Sequence, residues 1–264
     1  MAESTLNLKL ADLESKVGHY LGYGRGTNGS ETAWTTYQQN IITDCVESGL
    51  RQFYTPPDVP GHGCYEWTFL QPRTTLGLAS GKRVVSLPDD FGNLEGPIAV
   101  SSADSGVWQE LKMTGDVQRM FGEQPTAVGA PLFCSIEALR GGTQNESQRF
   151  ELQVYPEADQ DYTLTLSYTV LENALTNARP YVRGGAAHAE TIIESILSVA
   201  EARQNNQLGL HRAMFMERLK ASIAHDIRLR PHHLGKNSDW NYNRRRSRQR
   251  WTDPLITIAG SDPT

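Results

Sequence analysis

The chain lacks most of the features that announce a function. It has three cysteines in 264 residues, Cys45, Cys64 and Cys134. So odd and sparse a set argues against a disulfide framework and fits a reducing compartment. No run of about 18 apolar residues occurs, so nothing reads as a membrane span and no membrane partner is expected. Glu3, Asp12 and Glu14 interrupt the start of the chain, where a signal peptide would need an apolar core behind a basic end. A G-x-S-x-G elbow, an H-E-x-x-H pair and a nucleophilic cysteine with a partnered histidine motif are all missing. The sequence therefore gives no positive ground for an enzyme, and none is expected.

Three short motifs hint at chemistry and lack its context. Gly24-Arg25-Gly26-Thr27-Asn28-Gly29 matches G-x-G-x-x-G. The dinucleotide mechanism needs a strand before that turn and a βαβ unit after it. Here a helical pattern precedes it and the next helix ends in Pro56-Pro57, so the stretch reads as an interhelical loop and no cofactor is expected. His62 with Cys64, and His232-His233, resemble metal ligands, but a structural site needs four convergent groups; no metal is expected. Asp89 and Asp90 are adjacent on an extended segment and so point to opposite faces, a poor geometry for paired acids. They read as turn residues that end a strand.

What is present is enough for a packed core: 38% hydrophobic and 21% charged residues. Helical spacing runs through 9–21 (Leu10, Leu13, Val17, Tyr20, Leu21), with Gly22 as its cap, and through 32–54 (Trp34, Tyr37, Ile41, Cys45, Phe53). That stripe places Cys45 in the core, and Pro56-Pro57 stops the helix. From 65 to about 170 the period becomes two. "YEWTFL" (65–70) reads as a strand with Trp67 and Phe69 on its core face. Residues 76–87 read as a hairpin around Ser80-Gly81, 97–101 and 107–113 as a second pair, and 114–121 as a short helix. "PLFCSIEAL" and "RFELQVYP" flank a loop. In 162–170, Tyr162, Leu164, Leu166, Tyr168 and Val170 alternate with polar residues, the pattern of a half-buried antiparallel strand. Helical spacing returns in 187–204 and 210–229, an antiparallel helical hairpin.

The order helix, helix, strands, helix, helix gives an α+β fold. Its expected architecture is a four-helix bundle built from N- and C-terminal helix pairs, with an inserted antiparallel β region and an extended C-terminal arm. The expected divisions are 1–58 for the first helix pair, 59–180 for the β domain, 181–230 for the second pair and 231–264 for the arm.

The arm is the sharpest feature. "NRRRSRQRW" puts five arginines within seven positions of a chain whose formal net charge is -5. The body is thus acidic, whereas a general polyanion binder is expected to carry a basic face on its folded part. Phosphate contact by the arginines remains the alternative function, that of a nucleic-acid-binding protein. The flanking aromatics favour protein docking, because Trp, Tyr and Arg are enriched at interface hot spots. The residues expected to dock are Trp240, Tyr242, Arg244, Arg245, Arg246, Arg248, Arg250 and Trp251.

A series of segments in fixed order carries a family resemblance. They are "LADLESKVGHYLGYGRG", "CVESGLRQFYTPP", "YEWTFLQP", "VVSLPDDFG", "FELQVYPEADQDYTLTLSYTV" and the C-terminal helix pair. Over most of residues 5–230 the chain resembles the head-to-tail adaptor (connector) proteins of tailed bacteriophages. The resemblance implies a structural protein of the virion neck, assembled in the host bacterial cytoplasm. It implies a homo-oligomeric ring, typically a dodecamer, beneath the portal protein. Tail or tail-tube/nozzle proteins would attach below, and genomic DNA would pass through the channel without sequence-specific binding. The C-terminal arm of such proteins commonly reaches the portal, and residues 231–264 fit it by position and composition.

Overall fold

In a computed structural model the described residues are 4–24, 33–60, 63, 65–102, 108–139 and 148–229. They build two hydrophobic cores. One draws on both ends of the described chain, from Leu13 to Leu70 and from Val182 to Ile223; the other lies between Leu78 and Val170.

The helical layer starts with α1 (Leu10–Tyr20), closed by Gly22 at φ +77. α2 (Thr36–Tyr54) opens on a reciprocal cap: Gln38 N–H donates to Thr35 Oγ1 at 3.3 Å and Thr35 N–H to Gln38 Oε1 at 2.9 Å. That arrangement satisfies two otherwise orphaned donors. α4 (Ala189–Asn205) and α5 (Leu210–Leu229) follow the β region. Cys45 lies in this core, fully buried, and burial pushes its thiol up.

The expected four-helix bundle is not what forms. α2 and α4 meet backbone to backbone, whereas α1 has only 11 residues, and α5 reaches the core through Phe215, Leu219 and Ile223 with its backbone farther off. Non-helical chain fills the remaining space. Residues 8–10 bridge to 180–182, with Leu10 N–H on the Pro180 carbonyl at 2.8 Å. Residues 65–70, read as a strand from their aromatic composition, instead form an extended entry and a 3-10 turn, Thr68–Leu70. They insert Trp67 into the helical core, where it has no exposed surface. An apolar stripe on a helix demands a cover but does not specify a helical one.

The β body holds β1 (Arg73–Leu78), β2 (Val84–Ser86), β3 (Phe91–Ser102), β4 (Trp108–Glu110), β5 (Lys112–Met113), α3 (Val117–Glu123), β6 (Val128–Gly129), β7 (Phe133–Leu139), β8 (Arg149–Tyr155), β9 (Glu157–Ala158) and β10 (Tyr162–Val170). Two four-stranded sheets, ordered β1-β10-β3-β4 and β2-β8-β7-β5, face each other, and β6-β9 form a small third sheet. Residues 76–87 are therefore not a simple hairpin: β1 pairs with β10 and β2 with β8. On the other side the chain changes sheets at Leu111, whose N–H bonds Ile98 of one sheet while Lys112 N–H bonds Leu132 of the other. Both flanks of the sandwich are thus closed by continuous chain, which leaves few open edges. The β region is not wholly antiparallel either, because β5 runs parallel to β7 and β6 to β9. β10 alternates as its sequence requires, with Leu164 and Leu166 buried against Leu152 and Val154 of the opposite sheet. Each such side chain stabilises the fold by about 1.5–3 kcal/mol through burial.

Candidate functional site

The residues expected to act as a docking arm, Trp240, Tyr242, Arg244, Arg245, Arg246, Arg248, Arg250 and Trp251, lie outside the described residues, as do Arg25 to Gly29, His62, Cys64, His232 and His233. The adjacent carboxylates fall at a turn before β3 and separate. Asp90 accepts the Tyr168 hydroxyl at 2.9 Å, and Asp89 faces Arg149 at 4.0 Å on the surface. Burial, reinforced by that Asp90 contact, pushes the Tyr168 phenol up to about 12. Among the described residues no group of three or more His, Cys, Asp or Glu is placed to hold a metal ion. No described helix is long and apolar enough to cross a membrane.

Three features of the helical layer were not anticipated from the sequence. The first is a groove of ≈ 820 Å³ along the flank of α1 and α4. Leu8, Tyr20, Ile193 and Leu197 line it, with Asp12, Lys16 and Glu190 among its polar groups. Leu6, also on its wall, is 76% exposed. The second is the turn between α4 and α5. The buried Glu201 carboxylate accepts Leu210 N–H at 3.1 Å and His211 N–H at 2.9 Å, so α4 supplies the cap for α5. A negative group there also complements the helix dipole. Glu194 holds the His211 ring at 2.8 Å. Glu201→Ala should therefore cost about 1–3 kcal/mol by orphaning both donors. Chemical denaturation followed by helical circular dichroism measures this. Gly209→Ala should have a related effect, since its Cβ would fall 2.2 Å from Glu201 Oε1.

The third is an aromatic cage where α2, residues 65–70 and α5 converge. Trp67 Nε1–H donates to the Phe53 carbonyl at 2.8 Å, and its ring centroid lies 4.8 Å from Phe53 and 5.3 Å from Phe69. Beside the rings, Asp226 of α5 is 1% exposed and accepts the Tyr65 hydroxyl at 2.7 Å, Thr68 N–H at 3.0 Å and the Thr68 hydroxyl. Charge-assisted bonds of this kind fix the segment that leads into β1. One sequence signal could have revealed the cluster: Asp226 occupies a position on the α5 stripe that otherwise carries Phe215, Leu219 and Ile223. A carboxylate among apolar neighbours needs buried donors.

No model of a known protein family matches the chain, and no curated protein matches it.

Proposed function

We propose that this is a structural virion protein, a head-to-tail adaptor that forms a ring between the portal and the tail and lines the DNA passage. The observation that carries the reading is how the β body is mounted. Its first and last long strands are neighbours, with Arg73 of β1 opposite Ser167 of β10, so chain enters and leaves the β body at one place. The helical layer is assembled from both ends of the described chain. That mounting suits a subunit whose helical part packs beside its neighbours while the β part reaches a tail protein. The acidic body suits a channel wall, because like charge does not retain passing phosphates. In a closed ring each subunit offers two different faces, and the α1–α4 groove is a candidate for one of them.

In this reading Trp240, Tyr242, Arg244, Arg245, Arg246, Arg248, Arg250 and Trp251 dock on carboxylates of the portal. Repetition of the arm around the ring multiplies a modest affinity. The test is deletion of residues 231–264 followed by co-sedimentation with assembled portal rings and electron microscopy. The expected result is loss of portal binding with the body still folded; undiminished binding refutes the role of the arm. The arginine run alone favours a second reading, direct DNA contact. Five neutralised phosphates would give a log–log salt slope of about -4 to -5. Absence of DNA binding at low salt ends that reading.

A further inference from the structure

His188 has no part in the assembly reading, yet its surroundings are unusual for a titratable ring. It ends a 3-10 turn, Ala186–His188, just before α4 and is 2% exposed. The rings of Trp67, Phe69 and Phe53 stand 5.2, 5.4 and 6.1 Å from it. Its Nδ1 has no hydrogen-bond partner among the described residues. The groups that α2 and residues 65–70 turn toward it are thus aromatic rings, set edge-on or tilted to the imidazole. The titratable groups beside it come from α5: the His225 ring at 5.7 Å and the Asp226 carboxylate. Tyr65 spends its hydroxyl on Asp226. At the start of the adjoining α4, Glu190 pairs outward with Arg218 at 3.4 Å. Asp226 directs three of its acceptor positions at Tyr65 and Thr68, so its charge offsets part of the burial penalty on an imidazolium but its geometry is committed to residues 65–70.

We propose that His188 is an acid-sensitive latch: as a neutral ring it closes the cage that holds residues 65–70 against the end of α5, and as a cation it opens that cage. The sign follows from the site. Burial pushes the imidazole below its ordinary range; Asp226 opposes this and His225 adds to it. The unfolded or opened state, with a value near ~6.5, then binds more protons than the closed one as pH falls. Closure is full above that value and weakens as pH drops toward the lowered one. Opening would release the last turns of α5, beyond which the chain continues into residues 230–264. It would also loosen the lead into β1.

Hydrogen exchange on the full chain tests the latch, at about pH 7.5 and about pH 5.5, with rates corrected for intrinsic pH dependence. Residues 65–70 and the last two turns of α5 should lose protection about tenfold for each pH unit between the two imidazole values, while β10 holds its own. His188→Phe keeps an apolar ring without the proton site, so its protection should not respond to pH. No loss in the wild type, or equal loss in both proteins, overturns the proposal. Should His188→Phe fail to fold, the wild-type His188 ring is titrated by NMR. A midpoint clearly below ~6.5, with protection falling between that ordinary value and the midpoint, supports the latch; an ordinary or raised midpoint overturns it.

Discussion

Gly49→Ala is expected to destabilise the helical layer by about 2–3 kcal/mol, as inserted methyl groups do in tight cores. A Cβ at this position would lie 2.4 Å from Ile196 Cα and 2.9 Å from Ile196 N, both backbone atoms of α4. The side chain cannot rotate away from them, so the helices must separate. Separation also breaks the buried bond from Ser195 Oγ to the Gly49 carbonyl, 2.7 Å long. The opposing effect is helix propensity, which favours alanine over glycine by about 1 kcal/mol. The clash wins because it involves main chain on both sides. Calorimetry should show the midpoint falling by roughly 4–12 °C, and Gly49→Val should be worse. A neutral Gly49→Ala would mean that α2 and α4 can move apart freely, and that the close approach is not a constraint.

Trp67→Ala should cost still more, about 3–5 kcal/mol, as expected for deleting a fully buried aromatic. Two losses combine. The cavity opens between Phe53, Phe69 and His188, and the Phe53 carbonyl loses its 2.8 Å donor. Trp67→Phe separates them: it keeps an aromatic ring and gives up the indole N–H, so it should cost nearer 1–3 kcal/mol. Urea denaturation of the three proteins checks the order. If Trp67→Ala and Trp67→Phe were equal, the hydrogen bond rather than the packing would hold residues 65–70. The β core shares no residue with this cage, so exchange protection in β10 should survive both substitutions longer than that of α5.

The candidate assembly features were partly legible. The arginine-rich arm is a compositional fact and needs no fold to be noticed. The groove of α1 and α4 was not legible, because its wall combines residues about 180 positions apart in sequence. The Asp226 cluster left a trace, a carboxylate on an apolar stripe, but its donors Tyr65 and Thr68 lie about 160 positions away. Gly49 left a similar trace: it falls on the buried stripe of α2 between Val46 and Phe53, where a residue without a side chain implies close approach.

By itself the sequence determined the helices, the ends of the first two and the strand 162–170, because each follows from spacing within a few residues. Gly22 and Pro56-Pro57 mark ends for local steric reasons, whereas the Thr35–Gln38 cap that starts α2 emerged only in the structure. Tertiary structure alone decided how those elements are covered. β1 and β2 leave one turn for different sheets because their partners, β10 and β8, are chosen by burial over long separations. Residues 65–70 left the sheet because three rings are better buried beneath helices than displayed on a strand. For the same reason the helical stripes were closed by Trp67 and its neighbours rather than by a symmetric bundle: apolar area is removed from water without regard to the secondary structure that covers it.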